Sequence, residues 1–268
     1  MGYWINQAVY RLPRAIEADC DGVLALIWPP AQCPTCQASL GWYEKIPLLS
    51  FALQRGHCRH CGGTIAWRYP LVEAFTALLY ALLASYFGWG IHLGMLLLLV
   101  SWLLALLLID WHTMLLPDVL TLSLLWLGLL FNLVTGFTPL SSALYGAMVG
   151  YALLWTLSTG YALLRKQEGM GLGDAKLLAA LGAWLGWGAL PQLLMLASLL
   201  TLSGVLLRRV RGKTSLQQPF PFGPGLALAG FWIALLAHVA PRFPVSFFIP
   251  CEVSLVFSNA TLREINSN

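Results

Sequence analysis

Apolar positions in this chain do not alternate with polar ones; they run together. Seven such runs follow one another, at about 70–90, 91–109, 119–135, 140–164, 175–187, 189–207 and 222–240. The longer ones approach the roughly 20 residues a helix needs to cross hydrocarbon. They are too many and too long for a secretory signal, whose single apolar region covers about 7–15 residues. The 175–187 run is short and rich in glycine, which predicts a tilted or half-buried helix. Residues 1–69 are polar and mixed, with turn signals at 29–30, 55–58 and 61–63, and read as a small extramembrane lobe. Pro70 suits a first helical turn, and Glu73 stands where a carboxylate would favour the N-terminal dipole of the first run. The expected fold is therefore all-α and polytopic, about seven hydrophobic helices behind an N-terminal lobe.

Composition sharpens that picture. The chain is 59% hydrophobic and 10% charged, with a mean hydropathy of +0.74, against about a quarter charged in soluble domains. Lipid is the solvent for most of it. The net charge of +4 is explained by topology and argues for no nucleic-acid partner. Arg11, Arg14, Lys45, Arg55, Arg59 and Arg68 precede the first run; Arg165, Lys166 and Lys176, then Arg208, Arg209, Arg211 and Lys213, fill later loops on the same side if the runs alternate. The opposite loops carry no basic residue. By the positive-inside rule the N-terminal lobe and the loop around Asp174 face the cytoplasm.

Four of the six cysteines fall in two C-x-x-C pairs, CPTC (Cys33, Cys36) and CRHC (Cys58, Cys61). Two such turns let four thiolates converge on one tetrahedral cation, and the reducing cytoplasmic side favours thiolate–zinc over disulfides. Four reduced free thiols are the plain alternative. His57 and His60 are expected to stay at the surface, since four thiolates complete a shell without them.

Five carboxylates lie in the membrane portion. Asp118 follows Pro117 and suits a helix start, Glu168 is a solvated loop charge, and Asp174 also has the place of a cap. Asp110 resists that explanation: it ends a helix, where a negative charge meets the wrong pole of the dipole. Two carboxylates in a partly desolvated place share a proton, so that one activates water while the other donates to a scissile carbonyl. The stretch GMGLGDAKLL (169–178) sets glycines beside Asp174; Gly171 and Gly173 leave room there for a substrate backbone. His112 reads as an interfacial loop residue, and Lys176 either as a cation tuning Asp174 or as an interface anchor.

Together YRLP (10–13), the two cysteine pairs, KIPLLS (45–50), RYPLVE (68–73), LIDWHTMLLPD (108–118), GMGLGDAKLL and PFGPGLALAG (221–230) resemble the type IV prepilin peptidases, membrane aspartic proteases. The resemblance implies Asp110 and Asp174 as the catalytic pair, with Asp118 shaping the site. It implies cleavage of prepilin or type II secretion pseudopilin leaders on the cytoplasmic face of the bacterial inner membrane. It also implies N-methylation of the new terminus from S-adenosylmethionine, to which no residue is assigned, and a structural zinc on Cys33, Cys36, Cys58 and Cys61. The division expected is a four-Cys lobe over 1–69, a peptidase domain over 70–240 and an atypical tail over 241–268. The family's apolar span ahead of R-L-P is expected to be missing, which leaves open a truncated, inactive member. A transporter subunit using the aspartates for cations or protons is the reading from another class; the geometry of the two side chains discriminates.

Overall fold

The computed structural model describes residues 1–18, 33, 36, 38, 39, 41, 51, 53, 54, 56–165, 171–210 and 221–239. The KIPLLS stretch, Glu168, Gly169 and the tail over 241–268 lie outside the described residues. The chain divides into two compact units, Met1–Ala234 and Leu235–Asn268, and the site lies in the first.

Its described secondary structure is helical: α1 (Gly2–Glu17), α2 (Arg68–Phe87), α3 (Ile91–Thr113), α4 (Asp118–Thr135), α5 (Leu140–Arg165), α6 (Leu172–Leu185), α7 (Leu190–Val210) and α8 (Gly223–Val239). Five of the helices, α2 to α5 and the segment Trp187–Val210, are long and apolar enough to cross a membrane. Large side chains such as Leu78 and Leu82 on α2 and Leu199, Leu202 and Leu206 on α7 face outward. A water-exposed surface would not carry such stripes, whereas lipid accepts them.

Two details differ from the sequence reading. Residues 2–17 form a helix instead of irregular polar chain, burying Ile5, Ala8, Leu12 and Ala15 at helical spacing. This helix packs on α3 and α2, with the Trp4 and Trp102 rings 4.7 Å apart. The first apolar helix starts at Arg68, so Glu73 falls beyond its first turn. Its carboxylate accepts a hydrogen bond from Asn6 at 3.5 Å, and the backbone of Gly2 is pressed against it. Glu73 serves the α1–α2 contact.

Helix α6 is the centre of the bundle. It has 14 residues, and every one from Leu177 to Trp184 is buried, mainly by α5 and α4. Gly146 of α5 and Gly182 of α6 meet backbone to backbone, each occupying the space the other's side chain would need, and Gly150 faces the Leu178 carbonyl one turn away. Small residues four apart allow this close helix approach. At the far end, Asn132 donates to the carbonyls of Ala183 and Trp184 at 2.8 and 3.2 Å and accepts from the Thr138 amide. The Trp184 indole donates to the Leu124 carbonyl at 2.8 Å. The terminal carbonyls of α6, which no helical turn can satisfy, are thereby engaged.

Candidate active site

At the other end of the bundle the C-terminus of α3 meets the N-termini of α4, α6 and α8. Asp110 lies in the last turn of α3 and is 4% exposed; Asp174 lies in the first turn of α6 and is 8% exposed. Sixty-four residues apart in sequence (174 − 110), they lie within electrostatic reach of one another. Asp110 Oδ2 is buried and has no hydrogen-bond partner among the described residues, although the backbone of Gly223 approaches its carboxyl closely. A buried carboxylate oxygen without a donor is costly.

The loop between α3 and α4 closes the cluster. Met114 caps α3 in the left-handed conformation, φ 56°, rare for a residue with a side chain. That turn carries Leu116 inward, where its Cβ fills the space above Gly173 and its Cδ1 lies against Gly223. Among the described residues, the space beside Gly171 is bounded only by the Gly173 amide in the first turn of α6. Leu116 and Gly223 carry no chemical signature, and sequence reasoning did not single them out as site residues; only their contacts across the fold show their part.

Around this core stand charged and aromatic groups. Lys176 pairs with Asp118 Oδ1 at 2.6 Å, so its ammonium serves α4 and not Asp174. Asp118 opens α4, where a carboxylate suits the helix dipole. The Arg208 guanidinium lies 4.4 Å over the Trp111 ring, tying the end of α7 to the end of α3. His112 is exposed and its Nδ1 contacts the Leu108 carbonyl, at the rim.

The second cluster is the cysteine lobe. Sγ atoms of Cys33, Cys36, Cys58 and Cys61 all lie within 4.8 Å of one another, and those of Cys33 and Cys61 are 3.9 Å apart. A tetrahedral zinc with sulfur bonds of about 2.3 Å sets its sulfurs about 3.8 Å apart, so the donor set fits that ion. The Cys58 amide donates to the Gly63 carbonyl and Gly62 to Cys58, a tight knuckle that presents the CRHC pair. The Cys61 thiol is drawn down by its backbone bond to Gly63 but pushed up to about 11 by the neighbouring thiols; a divalent cation would reverse this and hold thiolates. His57 and His60 stay out of the cluster.

Comparison with known proteins points to one family. Residues 97–206 match the type IV leader peptidase family, and residues 1–87 match the bacterial peptidase A24 N-terminal domain. Proteins named prepilin leader peptidase/N-methyltransferase are similar over most of their length. That of Dickeya chrysanthemi is 44% identical, covering 86% of this chain and 87% of the relative. That of Aeromonas salmonicida is 46% identical, covering 88% and 87%; that of Pseudomonas aeruginosa is 44% identical, covering 88% and 86%. No solved structure matches. The chain belongs to the type IV leader peptidase family.

Proposed function

We propose that this protein is a prepilin leader peptidase in which Asp110 and Asp174 cut the leader of a prepilin or type II secretion pseudopilin, and that it then N-methylates the new terminus. What carries the proteolytic reading is the convergence of two buried carboxylates from distant helices, one of them with an oxygen that has no partner among the described residues. Side by side in a place water barely reaches, the pair holds a single proton. The ionised member takes a proton from water as it attacks the scissile carbonyl, and the protonated member donates to the carbonyl oxygen. No covalent intermediate is required. Gly171 leaves room for the substrate backbone beside Asp174, while Gly173 keeps Leu116 in contact with the first turn of α6.

The membrane reading is completed in the same terms. Seven apolar helices (α2 to α8) form the peptidase domain, taken as 70–240, with the lobe over 1–69 before it and an atypical tail after it. The aspartate end carries Arg68, Lys176, Arg208 and Arg209, and by the positive-inside rule these support a reading in which it faces the cytoplasm of a bacterial inner membrane. Zinc on the four cysteines holds the lobe together. S-adenosylmethionine, implied by the relatives' name, would supply the methyl group. A transporter subunit is disfavoured because the carboxylates sit at helix ends, not in mid-span.

The test is cleavage of a prepilin by the purified full chain in detergent. Asp110→Asn and Asp174→Asn should each lower kcat by about 10²–10⁴-fold while the protein still folds. Retained cleavage in either variant would remove that residue from the mechanism.

A further inference from the structure

The proteolytic reading makes no use of YRLP or RYPLVE, yet the fold brings the two stretches together. Asn6 of α1 donates to the Tyr69 carbonyl at 3.1 Å. Beyond this junction a cavity of about 350 Å³ opens between α1, the head of α2 and the cysteine knuckle, lined by Tyr10, Arg14, Arg68, Tyr69, the buried Cys33 and Cys58, and residues 63–66. That volume lies in the small-molecule range.

Its charge is one-sided. Arg14 and Arg68 face the cavity, and neither has an acidic partner among the described residues. Each guanidinium is nonetheless fixed. Arg14 donates to the Tyr10 carbonyl at 3.1 Å and stacks 3.5 Å over the Tyr10 ring. Arg68 donates to the Tyr69 hydroxyl at 3.3 Å and stands 5.1 Å over that ring. A membrane anchor needs only a mobile charge at the interface, and a swinging lysine serves it as well. Two planar forks held against aromatic rings and turned on one cavity are suited to a bidentate oxyanion.

We propose that Arg14 and Arg68 form a binding site for a small organic oxyanion in this cleft, separate from the aspartate cluster. Two sources share that chemistry: the carboxylate of a soluble amino-acid-like ligand, and the phosphate of an anionic lipid, since Arg68 heads a membrane-crossing helix. The site needs only the cleft and stands whether or not the aspartates cut prepilin.

The experiment has two arms on the full chain. Radiolabelled S-adenosylhomocysteine is titrated onto protein in neutral detergent, and retained lipid is counted by native mass spectrometry after release from nanodiscs of phosphatidylglycerol or of phosphatidylcholine. Saturable binding is expected in one arm, weakened at least tenfold in Arg14→Gln/Arg68→Gln. Arg14→Lys/Arg68→Lys, which keeps charge but loses the forks, should recover only part of it. Binding in the first arm identifies a carboxylate ligand; retention of phosphatidylglycerol alone identifies a lipid. Should the double variant not purify, the single Lys variants carry the test. No saturable binding in either arm, or binding indifferent to all these substitutions, overturns the proposal.

Discussion

The Lys176 ammonium donates to Asp118 Oδ1 at 2.6 Å, joining the starts of α6 and α4 across 58 residues of chain. Near a helix N-terminus a cation is electrostatically misplaced, and Asp118 is what makes Lys176 acceptable there. The helix start that carries Asp174 has no side-chain cap, and this pair and Leu116 on Gly173 both brace it. Both partners are partly exposed, and such pairs add about 1 kcal/mol or less to stability. The contribution is therefore to the position of Asp174. Asp118→Asn and Lys176→Gln should each lower kcat for leader cleavage about tenfold with KM and melting temperature nearly unchanged. The exchange Asp118→Lys/Lys176→Asp should restore part of the rate. Equal loss in the exchange and the singles would show that charge pairing is not what matters.

Gly223 tests the other carboxylate. A methyl group there would collide with the Asp110 carboxyl. Gly223→Ala should abolish cleavage while the protein purifies and melts like the parent, because the clash is met by moving one side chain. A fully active Gly223→Ala protein would show that Asp110 has freedom this structure does not give it.

The glycine contact between α5 and α6 is less forgiving, for backbone cannot swing aside. Gly182→Ala and Gly146→Ala should each destabilise the protein by about 1–3 kcal/mol, read as a lowered melting temperature in detergent. Gly160, on α5 with nothing among the described residues near its missing side chain, is the control. Gly160→Ala should be neutral or stabilise by up to about 1 kcal/mol.

For the lobe, metal analysis of protein purified without chelator should give one zinc per chain. Cys58→Ser should lose it and expose residues 51–66 to limited proteolysis. Full metal content in that variant would mean the four sulfurs are not the ligands.

Much of this was legible beforehand because lipid writes a simple signature: uninterrupted apolar runs mark α2 to α8 to within a few residues. Asp110 was readable for the opposite reason, as a charge set against its helix dipole. Helix α1 was hidden because Arg11, Pro13 and Arg14 break up the apolar run along the sequence, although Ile5, Ala8, Leu12 and Ala15 share one buried face. The partner of Lys176 was undetermined, since a lysine two residues after an aspartate reaches either way and only the neighbouring helix decides. Leu116 and Gly223 act through contact alone. Gly146 and Gly150 were the one neglected clue, a four-residue spacing that foretells a tight crossing.

Fourteen residues of helix rise about 21 Å, whereas the oily layer is about 30 Å thick. Central α6 thus falls short by about 9 Å, and Asn132 and Trp184 plug its distal tip. A helix too short to reach from face to face keeps the acid of its first turn inside the protein, where Asp174 is 8% exposed.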